Sequence, residues 1–218
     1  MSEYPLDLEQ HDIRGVLSGR KTQLRLILDW QPSALATPTM DDDGRWYVAN
    51  AAGHRTDLQA PWLAGDRVWI REHHATTSGG PLRYLATDDV HELRRVLPPS
   101  ALSRTFSRLT LEIVRVRIEK IASISPADAK AEGLELDAGD PPYWHCPELW
   151  PRALTAVRID EAIDRPPAVA SYGKLFDLQH GKGAFDENPW VAVIEFSAHR
   201  LNITQAPSSS MDRISKCA

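Results

Sequence analysis

The sequence predicts a mixed α+β fold, mainly β: a small barrel flanked by short helices and interrupted by long irregular insertions. Three observations lead there. Residues 67–72, 109–118 and 191–196 are rich in β-formers, and the first two alternate apolar and polar side chains with the period of a strand. The helical patterns are short, and glycines stop them at Gly19, Gly133 and Gly181. No strand-helix-strand repetition is present, which argues against a doubly wound parallel sheet.

Leu8 to Leu17 reads as the first helix, with Ile13, Val16 and Leu17 on one face. Directly after it comes Gly19-Arg20-Lys21-Thr22-Gln23-Leu24-Arg25, which sets three cations, a hydroxyl and an amide in seven residues. The glycine allows close approach of a partner, and the helix C-terminus favours cations. Such a loop suits a phosphate or the polar edge of a base. Residues 29–61 turn polar and proline-bearing and form a first insertion, with Arg45-Trp46-Tyr47-Val48 after Asp43-Gly44 as a hairpin arm.

Gly65-Asp66 marks a turn into a strand that puts Val68 and Ile70 on one face and Trp69 and Arg71 on the other. Arg83 to Ala86 is a shorter strand, followed by a charged stretch to Arg95. The alternation from Leu109 to Ile118 slips at Ile113-Val114, the mark of a bulge. Ser125 is placed as an N-cap, with Pro126 at the first helical position and Asp128 at the third, and this helix runs to Glu132. Residues 134–165 form the second insertion, heavy in Pro and aromatics between Asp137 and Pro151. Arg165-Pro166-Pro167 opens the last helix, and Asn188-Pro189-Trp190 leads into the last strand. The expected layout is a single domain over 1–200 and a disordered tail over 201–218.

The net charge of −5 excludes a uniformly basic surface for gripping long duplex nucleic acid. A local patch remains, because residues 67–120 hold ten Lys or Arg against six acids, about +4. Two cysteines, Cys146 and Cys217, make no disulfide framework and fit a reducing cytoplasm. The N-terminus lacks the basic start and apolar run of a secretion signal, and no stretch approaches the roughly 20 apolar residues of a membrane span. A cytoplasmic protein without a membrane partner is expected.

The order of these pieces carries a resemblance. Gly19-Arg20-Lys21-Thr22-Gln23, then Gly65 to Glu72, then Ser107-Arg108-Leu109-Thr110-Leu111, then Ile124 to Gly133, then Asn188-Pro189-Trp190-Val191 resembles the ASCH domain family, and most closely its longer phage and prophage members. The resemblance spans about residues 11 to 196 and leaves out the insertions and tail. It implies a PUA-like small β-barrel and an association with RNA or modified nucleobases. Small bacterial members are N4-acetylcytidine amidohydrolases, whose proposed catalytic set is a lysine, a threonine and a glutamate. By position the lysine falls on Lys21 and the glutamate on Glu132, while the threonine falls on Leu24, which has no hydroxyl to offer. Thr22, next to Lys21, could substitute only if the loop turned differently, because in an extended segment it faces away from the site.

Lys21, Glu132 and Thr22 are therefore the candidate catalytic residues, each weighed against a solvated surface role. Arg20 and Arg25 are candidate phosphate forks. Trp69 and Trp190 offer stacking faces for a base, with core packing as the plainer role. Glu72 is a second candidate carboxylate, with pairing to Arg71 or Arg108 as its alternative, and Arg71 and Asn188 complete the ligand-facing set. His73-His74 and His145-Cys146 lack the paired spacing of a zinc site, so no metal and no cofactor is expected. The expected function is binding of RNA or a nucleoside-sized ligand in a cleft between the Lys21 loop, the Glu132 helix and the Trp69 strand. Its alternatives are an N-acylated pyrimidine amidohydrolase, a ribonuclease, and a phage-derived module that binds a protein through its insertions.

Overall fold

The computed structural model describes residues 2–33, 36–76, 80–88, 95–160 and 164–206. In chain order the elements begin with β1 (Glu3–Asp7), α1 (Gln10–Leu17), β2 (Gln23–Ile27), β3 (Thr39–Met40), β4 (Trp46–Ala49), β5 (Arg55–Leu58) and β6 (Arg67–Arg71). They continue with β7 (His74–Ala75), β8 (Arg83–Tyr84), β9 (Val96–Leu97), β10 (Thr110–Lys120), α2 (Pro126–Ala131), β11 (Glu135–Asp137), β12 (Tyr143–His145), β13 (Val157–Arg158), α3 (Pro167–His180) and β14 (Trp190–His199). The architecture is mixed α+β and mainly β, as the alternation predicted.

A central sheet runs in the order β1-β6-β10-β14-β2. Only β1 and β6 pair in parallel; the other neighbours are antiparallel. Among the described residues β1 and β2 do not pair, so this sheet stays open rather than closing into a barrel. The long β10–β14 ladder shifts register between Ile113 and Arg115, the bulge that the broken alternation announced.

Because opposite faces of a strand alternate, the sheet divides its side chains into two layers. Leu24, Val116, Ile118, Ala192, Ile194 and Phe196 join Ile13 and Val16 of α1, together with Leu58 and Trp62, in one apolar cluster. Val191 and Val193 face the other way and pack with Ala129, Leu134, Tyr172, Leu175, Phe176 and Phe185 under α2 and α3.

The insertions are more ordered than their composition suggests. The first carries the three-stranded sheet β3-β4-β5, the second carries β11-β12-β13, and β7, β8 and β9 make a third small sheet. Backbone pairing satisfies donors and acceptors that the irregular sequence pattern left unassigned. Residues 201–206 are also held: Ile203 and Ala206 are buried, and the Arg67 guanidinium donates to both of their carbonyls. The expected loose tail thus begins with an anchored turn, and 207–218 lies outside the described residues. Among the described residues no helix is long and apolar enough to cross a membrane.

Candidate functional site

The site is assembled at the junction of α1, β2 and α2. Gly19, in the left-handed region at φ +77°, ends α1 and turns the chain toward β2. The Lys21 N–H then donates to the Gly15 carbonyl at 3.0 Å, and the Thr22 N–H to the Ala131 carbonyl at 2.8 Å. These two bonds suspend Lys21 between α1 and α2. Two glycines make room for it. A Cβ on Gly15 would sit 3.2 Å from Lys21 Cβ, and one on Gly133, at φ +99°, would sit 3.5 Å from the same atom.

Lys21 is 6% exposed and Glu132 3%. Its ammonium donates to Glu132 Oε2 at 2.7 Å and to the Glu132 carbonyl at 3.3 Å, and lies 3.2 Å from Asp12 Oδ1. All three ammonium hydrogens thus have acceptors. Burial alone would lower the Lys21 pKa, but the two carboxylates outweigh it and raise it above the ordinary value. In this arrangement Lys21 is a held cation, not the depressed-pKa base that a water-activating role requires.

Glu132 is shared. Its Oε1 accepts from Arg25 Nη1 at 2.8 Å, and Arg25 Nη1 also donates to Gln23 Oε1 at 2.5 Å. Arg25 Nη2 reaches Glu119 Oε1 at 3.1 Å and lies 3.7 Å from Asp128 Oδ2. Residues 21, 23 and 25 therefore line one edge, as the two-residue period of a strand demands, while Thr22 is exposed and Leu24 enters the apolar cluster. Asp128 and Glu132 stand one helical turn apart and address the same cations.

The cluster opens outward through Arg117, which bonds Glu119 at 3.0 Å, Asp128 at 2.7 Å and Glu195 at 2.5 Å. Asp128 serves twice. One oxygen completes the capping box with Ser125, and the other accepts from Gln23 and Arg117. Burial pushes its pKa up, yet the Ser125 and Gln23 hydrogen bonds and the Arg117 charge pull it well below the usual carboxylate range. The ion network joins three cations, Lys21, Arg25 and Arg117, to five carboxylates, Asp12, Glu119, Asp128, Glu132 and Glu195.

Beside this network lies a groove of about 500 Å³, lined by Val16, Leu17, Ser18, Gly19, Lys21, Thr22, Leu109, Phe196, Ser197, Ala198 and Arg200. Lys21 is common to both. The groove runs between the end of α1, the Lys21 loop and the end of β14.

The structure brings Lys21, Arg25 and Glu132 together, and distributes the other sequence candidates elsewhere. Arg20 leaves the site for Glu148 and, at 3.8 Å, Glu135 of the second insertion. Glu72 is buried against Arg108, which meets both carboxylate oxygens at 2.8 Å. Arg71 pairs with Asp7 and lies 5.9 Å from the Trp69 ring, and Trp69 does not line the groove. Trp190 is buried, with its indole N–H on the Pro32 carbonyl at 3.1 Å. Asn188 is a turn residue at φ +52° whose side chain accepts from the Ala122 N–H.

Sequence reasoning missed Asp12, Gln23, Glu119, Asp128 as an ion partner, Arg117, Glu195 and Arg200. One signal was available: Asp12 precedes Ile13 on the face that α1 buries, and a buried acid calls for a partner. Cys146 is buried nearby, and burial pushes its thiol up to about 11, which leaves it protonated at neutral pH. Among the described residues no group of three or more His, Cys, Asp or Glu is arranged to hold a metal ion. No family model, no curated protein and no solved structure matches this chain.

Proposed function

We propose that the chain is an ASCH-type, PUA-like protein that binds RNA or a modified nucleotide through a single nucleoside-sized ligand in the groove at Lys21. One observation carries the reading: Lys21 is at once the centre of a buried ion cluster and part of the lining of an open groove. Buried ion pairs are poor stabilisers, since apolar replacements of similar volume are often as stable or more so. Charges retained at such a cost beside a groove favour a functional role. The groove volume of about 500 Å³ falls within the range of about 300–1,000 Å³ common for small-molecule sites. The meeting of the Gly19–Gln23 loop with the helix ending at Glu132 agrees with the order of segments that resembles the family.

The test is calorimetric titration of ribonucleosides and short single-stranded RNA into wild type and Lys21→Ala. The reading expects saturable binding by wild type and its loss in the folded variant. Equal binding by both, or none by wild type, removes it.

Amidohydrolysis of N4-acetylcytidine is less well supported. Leu24 lies in the apolar cluster and Thr22 is exposed, so no hydroxyl faces the Lys21 ammonium from either position. Incubation with N4-acetylcytidine is expected to release no cytidine at high protein concentration. A protein-binding role gains from one observation: Leu136, Trp150, Leu154 and Ile159 are all exposed, Trp150 at 84%, and all belong to the second insertion. Substituting Trp150 by Ser would separate that role from nucleotide binding, because Trp150 does not line the groove.

A further inference from the structure

The cations around the groove are not equivalent. Arg20 is paired with two glutamates of the second insertion, Arg25 is buried among Gln23, Glu119 and Glu132, and Lys21 is neutralised by Asp12 and Glu132. Arg200 differs from all three. It is exposed, it lines the groove, and its guanidinium donates to the Leu17 carbonyl at the end of α1, with no carboxylate partner among the described residues.

We propose that the ligand of this groove is a phosphorylated nucleoside and that Arg200 receives its phosphate. The inference rests on the nucleotide-binding reading above and goes further by naming the ligand class and the residue that selects it.

Three features support it. First, a guanidinium has five N–H donors in a planar fork, and the bond to Leu17 leaves donors for an oxyanion. That same bond orients the fork before a ligand arrives, so less side-chain freedom is lost on binding. Second, the ion network behind Lys21 holds five carboxylates against three cations and repels a phosphate. An anionic ligand therefore enters with its phosphate away from the network, toward Arg200. Third, the rest of the lining suits the neutral part of a nucleotide. Leu17 and Ala198 offer apolar surface, backed by the buried Val16, Leu109 and Phe196. Around Gly19 no atom lies within 4 Å of the position a Cβ would take, so the backbone there is open to close approach.

The plain alternative is that Arg200 only caps α1. The two roles separate when preference is measured rather than affinity. The four ribonucleosides and their 3′- and 5′-monophosphates are titrated into wild type, Arg200→Gln and Arg200→Lys at fixed ionic strength. The proposal expects wild type to bind at least one monophosphate roughly tenfold tighter than its nucleoside, as a charge-assisted contact provides. It expects that preference to fall close to one in Arg200→Gln and to recover in part in Arg200→Lys. A cap alone would lower the unfolding midpoint and leave the preference unchanged. If nucleosides bind wild type as tightly as their monophosphates, or if Arg200→Gln keeps the full preference, this inference is overturned while the nucleoside-binding reading stands. If folded wild type binds none of the twelve compounds, both fall.

Discussion

The two faces of the central sheet come from the same strands, and where β2, β10 and β14 meet α2 they hold opposite chemistry, although the network's face also carries Val191 and Val193 into the second apolar cluster. On β2, Leu24 enters the apolar cluster while Gln23 and Arg25 enter the ion network; on β14, Ile194 and Phe196 go one way and Glu195 the other. On β10, Val116 and Ile118 oppose Arg117 and Glu119. A shift of one residue in any ladder would exchange the two sets, so each face helps fix the register of the other. The apolar face gains free energy by leaving water, whereas the ionic face must recover a desolvation cost through close pairing. The first stabilises the fold by burial alone, and the second only as far as its pairs are complete.

Mutations can break this contrast. The largest effect is expected for Glu132→Ala, which leaves Lys21 and Arg25 buried without their shared carboxylate and costs about 3–5 kcal/mol. Combining it with Lys21→Met, Arg25→Met and Asp12→Asn should return most of that loss, because the charges that would be stranded, including the Asp12 carboxylate beside Lys21, go together. On the apolar face Ile194→Ala should cost about 2–5 kcal/mol, with no such second-site rescue. Urea unfolding of the four proteins measures both expectations, and rescue confined to the ionic face is the signature of the difference.

A smaller effect separates geometry from charge. Gly15→Ala places a methyl 3.2 Å from Lys21 Cβ and should cost about 1–3 kcal/mol through displacement of a packed neighbour. It should also weaken nucleoside binding although it removes no charge. The network's pH dependence sharpens the comparison further. Asp128 has a folded pKa below its ordinary 3.8, so its contribution is present above that value and is lost as pH falls through the folded pKa. Lys21, raised from 10.5, contributes fully below that value, and its contribution is lost as pH rises through the folded pKa. Urea midpoints of wild type should therefore fall with acid below about pH 4, and Asp128→Asn should show a shallower fall. The smallest change is expected at Thr22→Val, within about 0.5 kcal/mol of wild type, since its side chain is exposed and the loop's bonds there are backbone bonds.

Much of the scaffold was legible in the sequence because it depends on local rules. The β10 bulge followed from a broken alternation, α2 from the Ser125-Pro126-Asp128 cap, and the end of α1 from Gly19. The resemblance singled out Lys21 and Glu132, which meet across 111 positions of chain. Less was visible where partners are chosen by tertiary pairing. Nothing local tells Glu72 to choose Arg108 over Arg71, the two partners its sequence offered, Arg20 to turn toward Glu148, or Arg117 to join β14 and α2. Of the small sheets only the hairpin arm at 45–48 and the strand from Arg83 were read, and the other strands were hidden because two to four residues carry too few alternations to read. Arg200 was hidden because its place depends on where the end of β14 falls beside α1.

The most direct test of the central claim, that Lys21 is a buried ammonium standing at a ligand site, is its own nitrogen resonance. In protein labelled with 15N on lysine side chains, burial and three acceptors should slow exchange enough to give an ammonium Nζ signal at neutral pH, assigned by its absence in Lys21→Met. Saturation with the nucleotide that binds most tightly should shift that signal. A Lys21 signal that stays fixed while the nucleotide saturates the protein would contradict the account.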